Sequence, residues 1–167
     1  MTVQEEADKR TTSNGIIRKR MYIAMGTGLV PLPIFDIVAL TGVQIEMVSR
    51  LAELYDIPFK RDLAKTAITS LVGGILPVAA APLLGSLLKV IPVVGYTTSA
   101  LSLAAIGGAS TYAVGKVFAQ HFETGGTLLN FNAEKVKAYY QEQFEKGKEE
   151  AASAKAGKEE PASATAK

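Results

Sequence analysis

The chain of 167 residues carries most of its charge near its two ends and most of its apolar residues in the middle. Between residues 66 and 115 there is one charged side chain, Lys89, with 23 uncharged residues before it (66–88) and 26 after it (90–115). A helix needs about 20 apolar residues to cross the ~30 Å core of a bilayer. The pattern therefore predicts a central helical hairpin that either enters a membrane or forms the core of a soluble helical domain.

Two helices are predicted before this hairpin. The first extends from Ile16 to about residue 30, where Pro31 and Pro33 stop it because proline lacks the amide donor and restricts the residue before it. The second can begin at Pro33 and extends to residue 55, because apolar residues recur there at three- and four-residue steps, as in an amphipathic helix. Asp36 falls in its first turn, where a carboxylate favours the helix dipole, and the alternative role is a buried polar contact.

Breakers and small residues mark the hairpin itself. Pro77 and Pro82 predict a kink in its first half, and Pro92 with Gly95 predicts its turn. The second half is predicted to be helical from about residue 96 to 121. This helix carries a stripe of small residues, which lets two helices approach closely in lipid or in a tight soluble core. The stripe consists of Ala100, Ala104, Gly108 and Gly115.

The two ends of the chain are predicted to be disordered, because residues 1–14 have few apolar side chains and residues 151–167 are of low complexity. Residues 15–150 then form one helical, membrane-associated domain. Its last helix is predicted from a cap at Asn132 to about residue 150. One face of that helix is a candidate surface for a protein partner and contains Val136, Tyr139, Tyr140 and Phe144. The predicted fold class is all-α, a kinked hydrophobic hairpin with flanking amphipathic helices.

Charge adds an expectation about location. Arg18, Lys19 and Arg20 lie beside apolar residues and are a candidate membrane surface, the alternative being a solvated helix start. Cations also flank the hairpin on both sides, so the positive-inside rule places both termini in the cytoplasm at the cytoplasmic membrane. A cytoplasmic location is the alternative. The formal net charge of +2 gives no reason to expect nucleic acid as a partner.

The sequence offers little for catalysis. It has no cysteine and a single histidine, His121, so neither a thiolate site nor a multi-histidine metal site can be built within one chain. Gly26 and Gly28 begin a dinucleotide fingerprint, but Pro31 stands at the place of the third glycine. Gly115 with Lys116 matches only part of a phosphate loop. We therefore predict a protein that is not an enzyme and that needs no cofactor or metal.

Several short motifs resemble, in their order, the YcjF-like family of bacterial helical domains. These are Pro31, Pro33 and Asp36; then Gln44, Met47, Leu51 and Tyr55; then residues 85–92 with Gly95; and then Thr111, Tyr112, Ala113 and Gly115. Domains of that family are often fused behind a small GTPase domain or encoded beside one. The resemblance implies a membrane-associated helical module that acts with a GTPase. Because this chain contains no GTPase domain, the GTPase would be a separate protein.

Three functions are consistent with these features. The leading hypothesis is a membrane-associated interaction module with a protein partner, which the resemblance suggests is a GTPase. The second is a soluble helical adaptor that forms oligomers. The third is a pore or membrane-remodelling protein, in which hairpins of several chains assemble through the small-residue stripe.

Overall fold

The computed structural model describes residues 2–27, 33–73 and 96–159, and this part of the chain is entirely helical apart from its connections. The all-α fold is therefore confirmed. The helices are α1 (Val3–Thr27), α2 (Pro33–Leu54), α3 (Arg61–Gly73), α4 (Tyr96–Glu123) and α5 (Ala133–Glu159). α2 and α4 lie within two residues of their predicted bounds. The predicted breakers Pro31, Pro77, Pro82, Pro92 and Gly95 lie outside the described residues, whereas Pro33 is the first residue of α2.

The structure differs from the prediction of a disordered lead over residues 1–14, because α1 begins at Val3. Thr2 and Glu5 form a capping box at its start. The Glu5 amide donates to Thr2 Oγ1 at 3.3 Å, and the Thr2 amide donates to Glu5 Oε2 at 2.7 Å. Further along α1, Ser13 and Ile17 are buried. Only a narrow face of this helix packs against the bundle, so few apolar residues are needed and the sequence did not indicate a helix there.

The helices form an antiparallel bundle with two distinguishable ends. Gly108 of α4 lies against Met25, and Gly115 lies against Ile17, so α4 runs opposite to α1. Arg20 of α1 pairs with Glu46 of α2, which fixes these two helices as an antiparallel pair. The end of α1 and the beginnings of α2 and α4 therefore share one end of the bundle, which we name the hairpin end.

At the opposite end, named the distal end, α1 begins and α2 and α4 finish. Lys9 pairs there with Asp56 at 3.3 Å, and Arg10 pairs with Glu123. α3 starts beside the last turn of α2 and is buried along its length at Ala64, Ala67, Ile68 and Leu71. It packs against α2, α4 and α5.

The last helix extends further than predicted. α5 begins after Asn132, whose Oδ1 accepts a hydrogen bond from the Lys135 amide at 3.2 Å, so the predicted cap is present. It continues to Glu159, which places residues 151–159 in a helix where a disordered tail was predicted. Ala151, beyond the predicted end of the helix, is fully buried.

The central apolar region is only partly a separate hairpin. Residues 66–73 belong to α3, and residues 104–115 lie inside the bundle between other helices. Within residues 2–27, 33–73 and 96–159, no helix combines the length and hydropathy needed to cross a bilayer. The described parts of both uncharged runs pack against other helices of the same chain.

Candidate functional site

Small residues on one side of α4 bring it into close contact with α1. A methyl group added at Gly108 would lie 2.5 Å from Met25 Cγ. One added at Gly115 would lie 2.7 Å from Ile17 Cγ1 and 3.0 Å from Met47 Sδ. Ala104 is buried on the same helix, and Ala100 lies in its first turns. Gly108 and Gly115 therefore pack within the chain. The pore hypothesis requires these two glycines to contact a second copy, and in this fold they are not available to one.

The opposite neighbour of α4 is α5, and here too a glycine sets the distance. A methyl group at Gly147 would lie 2.9 Å from both Cα and the carbonyl oxygen of Ala109. The apolar face of α5 lies along this contact. Tyr140 and Phe144 are buried in the core, and Val136 and Tyr139 pack against it half-buried. The predicted partner surface is therefore an internal face of the bundle. The sequence could not distinguish the two, because a helix that packs in a core and a helix that binds a partner have the same spacing of apolar residues.

A polar cluster in the core links α4 to α2 on one side and to α5 on the other. Gln44 Nε2 donates to Ser110 Oγ at 3.3 Å and to Thr111 Oγ1 at 3.4 Å. Ser110 Oγ also shares a hydrogen bond of 3.0 Å with the Tyr140 hydroxyl. All four side chains are buried. Among the described residues, no buried side-chain nitrogen or oxygen lacks a hydrogen-bond partner, so the cluster is satisfied internally.

Burial of this cluster changes the acidity of its tyrosine. Desolvation raises the pKa of Tyr140 to about 12, and the hydrogen bond with Ser110 opposes this in part. The hydroxyl is therefore neutral at physiological pH and acts as a hydrogen-bonding group. Gln44 could have been recognised as buried, since it falls between Leu40 and Met47 on the apolar side of α2. Its partners could not, because they come from residues far away in the sequence.

The three basic residues of α1 have different surroundings. Arg20 is largely buried and makes two hydrogen bonds to the Glu46 carboxylate, at 2.5 and 2.9 Å. Arg18 pairs with Glu150 of α5 at 2.9 Å. Lys19 is exposed. The triplet is therefore not one basic surface, since two of its members join α1 to neighbouring helices and only Lys19 points clearly outward.

Lys116 and His121 on α4 also have structural surroundings. Lys116 Nζ donates to Asn14 Oδ1 at 2.6 Å and lies 5.5 Å from the centre of the Tyr112 ring. Burial lowers the pKa of this lysine, and the nearby Arg18 acts in the same direction. His121 Nε2 is within hydrogen-bonding distance of the Thr127 carbonyl and of Asn130 Oδ1. Both side chains thus anchor neighbouring segments.

A metal site is not indicated in the part of the chain that the structure describes, because its His, Asp and Glu side chains form no group of three. Of the two partial nucleotide motifs, Gly26 lies in α1 and Gly115 lies in α4, whereas Gly28 and Pro31 lie outside the described residues. Gly115 in particular is buried against Ile17, so its backbone is closed to a phosphate. The features that stand out are instead the packed glycines, the polar cluster and the hairpin end.

Comparison with known proteins places this arrangement in a family. A family model described as a domain of unknown function (DUF697) matches residues 3–149. The chain belongs to the DUF697 family. The match covers α1 to most of α5. It confirms the family of helical domains of unknown function that the sequence motifs resemble.

A curated relative supports the same assignment. The chain is 42% identical over 148 residues to magnetosome membrane protein 22 of Magnetospirillum gryphiswaldense. The aligned region covers 88% of this chain and 76% of the relative. No solved structure matches this member of the DUF697 family.

Proposed function

We propose that this DUF697 protein is a non-enzymatic, membrane-associated helical module, and that the uncharged segment 74–95 anchors the bundle in the bilayer. The proposal depends chiefly on one observation. This segment follows α3, which packs in the bundle, and leads into the start of α4, which lies at the hairpin end. It has 22 residues and one charge, Lys89. The similarity to a protein named as a magnetosome membrane protein supports the same proposal.

The length of the segment suggests how it enters the bilayer. Two crossings need about 40 apolar residues, roughly twice what segment 74–95 supplies. Both of its neighbours, α3 and α4, pack in the same bundle, so the segment starts and finishes on one side of the membrane. We therefore propose an anchor that enters and leaves through the same leaflet. The bundle and both of its termini are then cytoplasmic, at the cytoplasmic membrane.

The anchor is tested by extraction of membranes that contain the full chain. Carbonate washing should leave the protein in the membrane pellet. A variant with Leu84→Glu and Leu87→Glu should be released, because a charged residue within the hydrocarbon costs about 3 kcal/mol. The matched control places the same two glutamates at Val3 and Leu129, which are 85% and 77% exposed at the distal end, and should be retained. Release of the unaltered chain would contradict the proposal.

The partner of this module is proposed to be a separate small GTPase, as the family resemblance implies. The distal end is the surface that remains free for it when the hairpin end faces lipid. The loop between α4 and α5 exposes Leu129 there. Two contacts hold this loop in place: Asn130 Oδ1 accepts a hydrogen bond from the Thr127 amide at 2.7 Å, and Phe131 stacks on Phe118.

This partner is tested by mixing the full chain in nanodiscs with a small GTPase encoded beside its gene, loaded with GDP or with a GTP analogue. We expect binding to one nucleotide state, weakened by Leu129→Ser. Substitution of serine at Tyr22, at the hairpin end, should leave that binding unchanged. Absence of binding in both nucleotide states would remove the GTPase from the proposal and leave the membrane anchor unaffected.

A further inference from the structure

Three large apolar side chains are exposed close to the hairpin end. Tyr22 and Ile23 on α1 are 50% and 37% exposed, and Val38 on α2 is 69% exposed. We name these three residues the apolar rim. The other strongly exposed large apolar side chains of the described residues, Val3 and Leu129, lie at the distal end. The rim is thus the place where the bundle exposes apolar side chains on two adjacent helices.

The rim residues lie at a common height above the hairpin end. Tyr22 precedes the last residue of α1, Thr27, by five positions, and Val38 follows the first residue of α2, Pro33, by five positions. At 1.5 Å per residue both lie about 7.5 Å from that end. Interfacial helices bury their apolar faces about 5–10 Å into the boundary between headgroups and acyl chains.

Charge is distributed as a lipid contact requires. Residues 21–27 and 37–45 contain no charged side chain. Lys19 is exposed and lies one turn further from the hairpin end than Tyr22 and Ile23, on the same side of α1. Lysine at that height can reach lipid phosphates, and tyrosine is enriched at membrane interfaces.

We infer that the apolar rim is a second, peripheral membrane contact, at which Tyr22, Ile23 and Val38 lie among the headgroups and upper acyl chains of an anionic bilayer. This inference rests on the proposed anchoring by segment 74–95, because that segment would bring the hairpin end to the bilayer. It goes further by fixing which face of the bundle is turned to the lipid. α5 packs on α4 and reaches α1 at Arg18, and it does not contact α2 in the described residues.

Tryptophan fluorescence tests the rim directly, because the natural chain contains no tryptophan. Tyr22→Trp and Val38→Trp, made separately in the full chain, place one fluorophore at the rim. Leu129→Trp is the matched control, since it is equally a single exposed apolar position but lies at the distal end. Each variant is mixed with vesicles of phosphatidylethanolamine and phosphatidylglycerol, with and without bromine on the acyl chains.

We expect a blue shift on vesicle binding and loss of emission with brominated lipid for positions 22 and 38, and neither change for position 129. Flotation of the same samples reports on the anchor separately. If the variants float but the rim fluorophores are not quenched, the rim inference is overturned while the anchor stands. If no variant floats, the anchor itself fails and the rim inference fails with it.

Two further outcomes would also overturn the inference. Quenching at position 129 equal to that at position 22 would show that the bundle has no preferred face. Protection of the rim fluorophores from iodide before lipid is added would show that a second copy or segment 74–95 covers the rim. Circular dichroism of each variant confirms that these exposed substitutions leave the helices intact.

Discussion

The two sides of α4 achieve packing by opposite means. On the side that meets α1, Gly108 and Gly115 have no side chain, so the helices approach closely and the atoms that face these glycines are apolar. On the side that meets α2 and α5, Ser110 and Thr111 use their hydroxyls to bind Gln44 and Tyr140. An added side-chain atom destabilises the first side, and removal of a hydrogen-bonding group destabilises the second. We therefore expect steric changes to be most damaging on one side and polar deletions on the other.

The largest effect is expected from Gly115→Leu. The added side chain would meet Ile17 and Met47 at distances no real contact allows, so we expect a loss of about 3 kcal/mol or more in the free energy of unfolding. Gly15→Leu is the matched control, because nothing lies within 4 Å of a methyl group added there. Urea unfolding followed by circular dichroism compares the two. Equal midpoints would contradict the glycine contact between α1 and α4.

A nearly comparable effect is expected from high pH on the polar side. The pKa of Tyr140 is about 12 in the folded chain, against an ordinary value of 10. Above pH 10 the unfolded chain therefore loses this proton first, and stability falls until about pH 12. Two pKa units correspond to about 3 kcal/mol. Unfolding measured against pH should show this loss, and Tyr140→Phe should reduce it. An unchanged profile in the variant would refute the assignment.

A smaller loss, about 2 kcal/mol, is expected from Ser110→Ala. This change removes the group that both Gln44 and Tyr140 bind, so two buried polar side chains lose a partner. Ser70→Ala, at an exposed position of α3, is the control and should change stability by less than about 0.5 kcal/mol. Combining Ser110→Ala with Tyr140→Phe should cost less than the sum of the two. Strict additivity would show that the hydroxyls are not coupled.

The smallest effect has the opposite sign. Gly15 and Gly42 lie within helices but have open space where a methyl group would be placed. Alanine at either position should stabilise the chain by roughly 0.5–1 kcal/mol, because glycine is the poorer helix former. Thermal unfolding measures this gain. A decrease in stability at either position would show that the space beside that glycine is occupied, and that close packing also occurs on the outer face of α1 or α2.

The sequence predicts the helical periods well, for a physical reason. Apolar spacing determines which face of a helix is buried, so α2 and α4 were placed within two residues of their bounds. The start of α1 was missed although Thr2 and Glu5 have the spacing of a capping box. That signal is local and readable, but the surrounding polar residues concealed it.

What covers a buried face is harder to predict than the face itself. The spacing of Tyr140 and Phe144 identified an apolar face, yet α4 covers it where an external partner was expected. Likewise, the small residues of α4 indicated close packing, but nothing local to Gly108 names Met25 as its neighbour. Tyr140 and its partner Ser110 are 30 positions apart, and Gly108 and Met25 are 108 − 25 = 83 positions apart. Such contacts depend on the arrangement of the whole bundle, which periodicity does not encode.

The contact between α1 and α4 also has a consequence for synthesis. Ile17 receives its neighbour Gly115 only after almost one hundred further residues have left the ribosome. At about 5–20 residues per second, this leaves the inner face of α1 without α4 for several seconds. Segment 74–95 emerges during that interval, before the bundle can close. A nascent chain of this protein therefore exposes its apolar stretch first and completes its fold afterwards.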